Sequence, residues 1–310
     1  MPDLQANGLR FHVQRSGSGD ETVVMIHGML IDNLSSLYYA LAPALADRMQ
    51  VLLYDLRGHG HTERPATGYT IDDAVADLWA VVEGSGIEGP VHLLGNSYGG
   101  TVAIEAARRT PERVSSLVLV EAHFAIEGWG EHIARELELA GFGLDEHDLQ
   151  LWLDAHGGRK LSRMARAAEL LITTTSVIDD MAAVPALSPD DLRGIKVPAY
   201  AVYGEHSDVI ERARDLEALL PDLEMDILGD CSHSAMVEAT ASVRALVAER
   251  FDRMAAGTTV AGRTRMISPG DGEGSGAEHR STIDRYRAEL ERRRAEAAEA
   301  AGAVPPGGAG

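Results

Sequence analysis

The stretch Pro90-Val-His-Leu-Leu-Gly95-Asn96-Ser97-Tyr98-Gly99-Gly100 decides the reading of this chain. Val91–Leu94 is apolar on both faces, as a buried parallel strand is, and Gly99–Arg108 has the spacing and composition of a helix. Between them lies Gly-x-Ser-x-Gly. A serine at so sharp a strand-to-helix turn is pushed out of the sheet on a strained backbone. The positions two residues to either side must be small, because a larger side chain would collide with the neighbouring strand and helix. The helix that follows points its positive end at the hydroxyl, where an oxyanion would develop.

Outward from this turn the same alternation recurs. Short apolar runs at Thr22–Ile26, Val51–Tyr54, Ser116–Val120, Ala199–Tyr203 and Glu224–Leu228 read as strands. Segments of helical period at Leu34–Ala46, Ile71–Glu83, Ala213–Leu220 and Ala239–Met254 separate them. Leu9–Gln14 reads as an antiparallel edge strand leading in. The pattern predicts an α/β fold with a doubly wound, mostly parallel sheet. It breaks once, between residues 124 and 189, where helical segments follow one another without a strand. That stretch predicts an inserted all-helical cap over the carboxyl edge of the sheet, where open α/β sheets bind their ligands. The core then comprises residues 1–123 and 190–257.

Past the core, 258–280 is rich in Gly, Ser and Thr and reads as a flexible linker. Residues 281–301 read as a charged helix whose Ile283, Tyr286 and Leu290 make a thin apolar stripe, and 302–310 as a disordered end. The stripe makes this helix the candidate surface for homo-oligomer formation, the alternative being a solvated tail.

The 310 residues carry 28 Lys and Arg against 48 Asp and Glu, a formal net charge of −20. Residues 258–310 hold eight Arg and eight acids, so the whole excess belongs to the core and cap. That balance argues against nucleic-acid and anionic-membrane partners and favours neutral or apolar small molecules over strongly anionic ones. A single cysteine, Cys231, excludes an internal disulfide framework and any cysteine-rich metal site. The N-terminus lacks a basic segment followed by an apolar run, and no stretch is long and apolar enough for a membrane span. A cytoplasmic protein needing no metal or cofactor is expected.

A serine hydroxyl needs a general base within hydrogen-bond reach, itself oriented by a carboxylate. Among the 12 histidines, His233 follows the last core strand on a loop at the same sheet edge as Ser97. His27, His59, His61, His123 and His206 also sit near that edge, so position alone does not exclude them. Asp208, after the preceding strand, is the chosen acid. Glu205 is its near rival, and Glu121, at the end of the strand before the cap, is a further alternative. At Ile26-His27-Gly28-Met29 a glycine lets the chain bend, so that the backbone N–H of Met29 joins that of Tyr98 in facing an oxyanion. Leu30 is the substitute for Met29. His27 reads as a group bracing this turn. Phe124, Trp129 and Trp152 are candidates to line an apolar substrate pocket, or else cap core.

From about Leu9 to Met254 the chain resembles the α/β-hydrolase-fold superfamily of serine hydrolases. Five segments carry the resemblance in family order: HGM at 27–29, DLRGHG at 55–60, GNSYGG at 95–100, GEHSD at 204–208 and CSHSAMVE at 231–238. The resemblance implies a triad in the order Ser97, Asp208, His233, with Arg57 and His59 bracing the turn after an early strand. Serine at the elbow excludes the dehalogenases and epoxide hydrolases of the family, which use aspartate there. Hydrolysis of an ester or thioester through an acyl-enzyme is the leading expectation, with polyketide-type intermediates among the substrates that similar hydrolases take. The alternatives are C–C bond hydrolysis of the meta-cleavage type, to which the elbow and the histidine segment are also similar, and cofactor-free perhydrolysis of the haloperoxidase type. A non-catalytic receptor or scaffold is the reading from a different class, since fold alone does not establish function.

Overall fold

The computed structural model describes residues 3–142, 158–258 and 262–268. Its centre is one nine-stranded sheet in the order β1-β2-β4-β3-β5-β6-β7-β8-β9. The strands are β1 (Asp3–Ala6), β2 (Leu9–Ser16), β3 (Thr22–Ile26), β4 (Gln50–Tyr54), β5 (Val91–Asn96), β6 (Val114–Val120), β7 (Ala199–Gly204), β8 (Leu223–Leu228) and β9 (Arg263–Ile267). β1 and β2 are antiparallel to their neighbours, and β4 through β9 with β3 run parallel. Every residue of β3, β7 and β8 is buried, so helices must cover both faces.

One face is covered by α3 (Ile71–Gly84), α4 (Tyr98–Arg109) and α9 (Ile210–Leu219), the other by α1 (Leu34–Ala40), α2 (Ala42–Leu45) and α11 (Thr240–Ala255). Between β6 and β7 the described chain contains only helices: α5 (Trp129–Phe142), α6 (Gly158–Thr174), α7 (Val177–Ala182) and α8 (Pro189–Gly194). A short α10 (Ala235–Glu238) precedes α11. Among the described residues no helix is long and apolar enough to cross a membrane.

Two strands depart from the sequence reading. Leu9–Gln14 belongs to a hairpin, because Asn7 and Gly8 both take positive φ, 45° and 75°, and reverse the chain onto β1. Two successive left-handed residues match the twist of a tight hairpin. The second departure is a correction: 258–280 is not linker throughout, since Arg263–Ile267 adds β9 in parallel to β8. Its polar composition hides it. The strand is fixed by backbone pairing and by Arg265, whose Nε and Nη2 lie 2.6 and 2.5 Å from the carboxylate of buried Asp226. The helix expected at 281–301, with its apolar stripe, lies outside the described residues.

The carboxyl edge of the sheet is braced by the turn after β4. Asp55, buried, accepts from the N–H of Leu34 and of His61, each at 2.8 Å, and so ties that turn to the start of α1. Arg57 donates to both carboxylate oxygens of buried Asp77 at 2.6 and 2.7 Å and also bonds the Gly68 carbonyl. The cap rests on the segment that follows: Tyr69 N–H donates to Asp180 at 2.8 Å and Ser176 N–H to the Ala66 carbonyl at 2.9 Å. His27 Nε2 accepts from Leu56 N–H at 2.9 Å, and His59 Nε2 accepts from Leu30 N–H at 3.0 Å. Both Nε2 atoms act there as acceptors. Burial, reinforced by His27, lowers the His59 pKa to about 3.

Arg265→Ala leaves Asp226 with Tyr200 as a partner but removes its counter-charge. It is expected to cost about 2 kcal/mol of stability in urea denaturation, and unchanged stability would return β9 to the status of a linker. His59 binds its proton more readily unfolded, near pH 6.5, than folded. Stability therefore falls as pH drops from about 6.5 towards 3. Denaturation midpoints across that window should show a shallower acid slope in His59→Asn than in the parent chain.

Candidate active site

Strand β5 delivers Ser97 to the carboxyl edge with φ 52° and ψ −119°, a left-handed conformation that a side-chain-bearing residue holds only at a cost. The surrounding glycines permit it. A Cβ at Gly99 would lie 2.7 Å from the His27 carbonyl oxygen and still closer to that of Ile26. One at Gly95 would overlap the backbone of Gly99 and Gly100, and one at Gly100 would overlap Ala122. The elbow is thus held between β3, β6 and α4, with Ser97 N–H bonded to the Val120 carbonyl at 2.9 Å.

The loop after β8 brings His233 to this point. Its Nε2 lies 3.2 Å from Ser97 Oγ. Its Nδ1 faces two carboxylates, Asp208 Oδ1 and Glu121 Oε2, each at 3.3 Å, and the Ser207 hydroxyl at 3.4 Å. With the proton on Nδ1, Nε2 is free to take the serine proton. The remaining loop is fixed by Glu238, which accepts from Ser232 N–H at 2.6 Å and Ser232 Oγ at 2.9 Å. Glu205 turns elsewhere: its exposed carboxylate accepts from Asp230 N–H at 3.3 Å.

His123 packs edge-on against the His233 ring, centroids 5.0 Å apart. Its Nδ1 accepts from Trp129 Nε1 at 3.4 Å. Burial, and then the proximity of His233, lower its pKa to about 3, so a neutral ring lies beside that of His233. Phe124 and Trp129, candidates for the pocket lining, are each 1% exposed within the main core cluster, so they support the site from behind. Trp152 lies outside the described residues.

Facing the elbow, Gly28 begins the turn after β3. A Cβ there would stand 3.4 Å from Ser97 Cβ and 3.1 Å from Asp32 Oδ2, so Ser97 and the Asp32 carboxylate flank one position. Gly28 N–H donates to Asp32 at 2.7 Å, and Leu30 N–H is taken by His59. Of the two alternatives at this turn, the N–H of Leu30 is therefore already occupied. Tyr98 N–H is the first amide of α4 and heads the helix beside Ser97. A cavity of about 490 Å³ adjoins the turn, with Leu30, Asp32, Tyr38, His59, Arg163 and Met164 among its lining residues.

Comparison with known proteins agrees with this architecture. Residues 21–240 match the family model described as alpha/beta hydrolase fold. A 118-residue segment, 38% of the chain, is 37% identical to the lipase LipV of Mycobacterium tuberculosis, of which it covers 43%. The chain thus spans less than half the length of that relative. Over 255 residues, 76% of the chain and 85% of the relative, it is 26% identical to 2-hydroxy-6-oxo-6-(2'-aminophenyl)hexa-2,4-dienoic acid hydrolase of Metapseudomonas resinovorans. A lipase structure from Acinetobacter baumannii superposes with TM-score 0.71 at 20% identity, covering 83% of this chain and 92% of that one. With the family model covering most of the chain and the strand order, elbow and inserted helices in place, the protein belongs to the alpha/beta hydrolase fold family.

Proposed function

We propose that the protein is a serine hydrolase that cleaves an ester or thioester of a small to medium, largely uncharged substrate through an acyl-enzyme. The observation that carries this reading is the 3.2 Å approach of His233 Nε2 to Ser97 Oγ, with carboxylates on the opposite side of the imidazole. In the first half-reaction His233 takes the Ser97 proton as Oγ adds to the carbonyl carbon. The Met29 and Tyr98 amides receive the oxyanion. His233 then gives the proton to the departing alcohol or thiol as the C–O or C–S bond breaks. In the second half-reaction the same imidazole removes a proton from water as its oxygen adds to the acyl carbon, and returns that proton to Ser97 Oγ as the acyl C–Oγ bond breaks.

Asp32 bears on the charge of the substrate. A carboxylate flanking the same glycine as the nucleophile disfavours an anionic acyl group at this position, and the core's excess of acidic residues disfavours its approach. A second reading, C–C bond hydrolysis, is favoured by the similarity over 255 residues to the Metapseudomonas hydrolase, whose named substrate is a dienoic acid. Asp32 weighs against it, because that acid is itself an anion.

A fluorophosphonate probe should label Ser97 in the folded protein, and absence of an adduct would contradict the serine mechanism. Ser97→Ala and His233→Ala are each expected to lower kcat by about 10⁴-fold or more at unchanged thermal stability. Among p-nitrophenyl esters of graded length, acyl thioesters and a meta-cleavage diketone, the uncharged esters and thioesters should turn over fastest. Preference for the diketone would install the second reading.

A further inference from the structure

We infer that Glu121 is a positioning residue for His233, sharing with Asp208 the task of holding Nδ1–H and balancing the charge of the imidazolium. This inference rests on the Ser97–His233 mechanism proposed above. Its basis is the placement of two acids from two different strands around one imidazole nitrogen, both at 3.3 Å.

The two acids differ in surroundings. Asp208 has 61% of its side chain exposed, whereas Glu121 is fully buried. An exposed charge at a given distance is weakened by water, while a buried one acts through a medium of lower permittivity. At equal distance, Glu121 therefore exerts the stronger pull on a proton at Nδ1. Burying a carboxylate is costly unless it is hydrogen-bonded, and this one is: Oε1 accepts from Gly204 N–H at 2.5 Å, and Oε2 from Ser207 Oγ at 2.6 Å. Gly204 ends β7, and Ser207 lies in the loop after it that carries Asp208. Oε2, the oxygen facing His233, is thereby fixed in place.

The backbone is consistent with a site role. Glu121 takes φ +49° immediately after β6, a left-handed conformation rare for a side-chain-bearing residue. Its N–H is bonded to the Val202 carbonyl of β7 at 2.9 Å. An extended continuation of β6 needs no such turn. The other ionisable groups around His233 do not substitute for it: His123 is held neutral by burial, and Glu205 is committed to the Asp230 amide.

The test compares Glu121→Gln, Asp208→Asn and the double variant, with steady-state kinetics on a p-nitrophenyl ester and thermal denaturation of each. Gln keeps the carbonyl oxygen for Gly204 N–H but gives Nδ1–H no anionic acceptor. With the load shared, Asp208→Asn should lower kcat about 10-fold and Glu121→Gln about 100-fold. The double variant should approach the roughly 10⁴-fold loss that follows removal of a sole triad acid. Each single variant should also move the acid limb of the kcat/KM profile to lower pH, since each removes a negative charge that favours the imidazolium. A purely structural Glu121 would lower stability and leave that limb in place. Should Glu121→Gln fail to fold, Asp208→Asn alone decides: retention of about a tenth of the activity supports a second acid, and a 10⁴-fold loss overturns it. Fluorophosphonate labelling of Ser97 in the parent chain separates failure of this inference from failure of the serine mechanism.

Discussion

The close approach of α4 to β3 at the elbow is the constraint on which the remaining geometry depends. Backbone rather than side chain fills the contact, because Gly99 stands against the carbonyls of Ile26 and His27 where any Cβ would collide. That approach forces the left-handed Ser97, and the same packing places the start of α4 and the turn after β3 on either side of its hydroxyl. Strain at one residue is sustained by the buried parallel sheet around it, whose central strands have no exposed residue. Stability and the geometry of the proposed site are therefore coupled here: a change that lets α4 move away from β3 would relax Ser97 and displace its hydroxyl together.

Around this point the protein uses histidines in two ways. His27 and His59 are buried, each accepting a backbone N–H through Nε2, and they fix the turns on either side of the active edge. His233 is partly exposed and has Ser97 Oγ where those two have amides. The residue type is the same, and burial with a committed acceptor separates the bracing histidines from the one proposed as a base. His123 extends the pattern, since its neutral ring packs on His233 without placing a competing positive charge there.

The elbow and the parallel sheet are legible in the sequence because each rests on local pattern: a strand, a small-residue turn, a helix; the order Ser97, Asp208, His233 is what the family resemblance implies. What depends on long-range contact is less so. Nothing in the composition of Arg263–Ile267 marks it as a strand, since its stability comes from β8 and from Asp226, 39 residues earlier. Glu121 stands in the sequence only as one of three alternative acids, and it is the fold that brings its carboxylate to His233 together with that of Asp208. The Asn7-Gly8 turn, by contrast, was available as a hairpin signal, because both residues favour the left-handed region. Phe124 and Trp129 illustrate the opposite ambiguity: large apolar residues beside a site serve as packing as readily as lining, and burial decides between them.

The central claim is that Ser97 forms a covalent acyl intermediate whose formation depends on His233. The most direct measurement is rapid-quench mass spectrometry of the protein turning over p-nitrophenyl butyrate, with peptide mapping of any adduct. A butyryl group on Ser97 that accumulates within the first turnover and decays with substrate exhaustion, and that is missing in His233→Ala, is the predicted result. Turnover at full rate with no adduct, or with the adduct on another residue, would contradict the account.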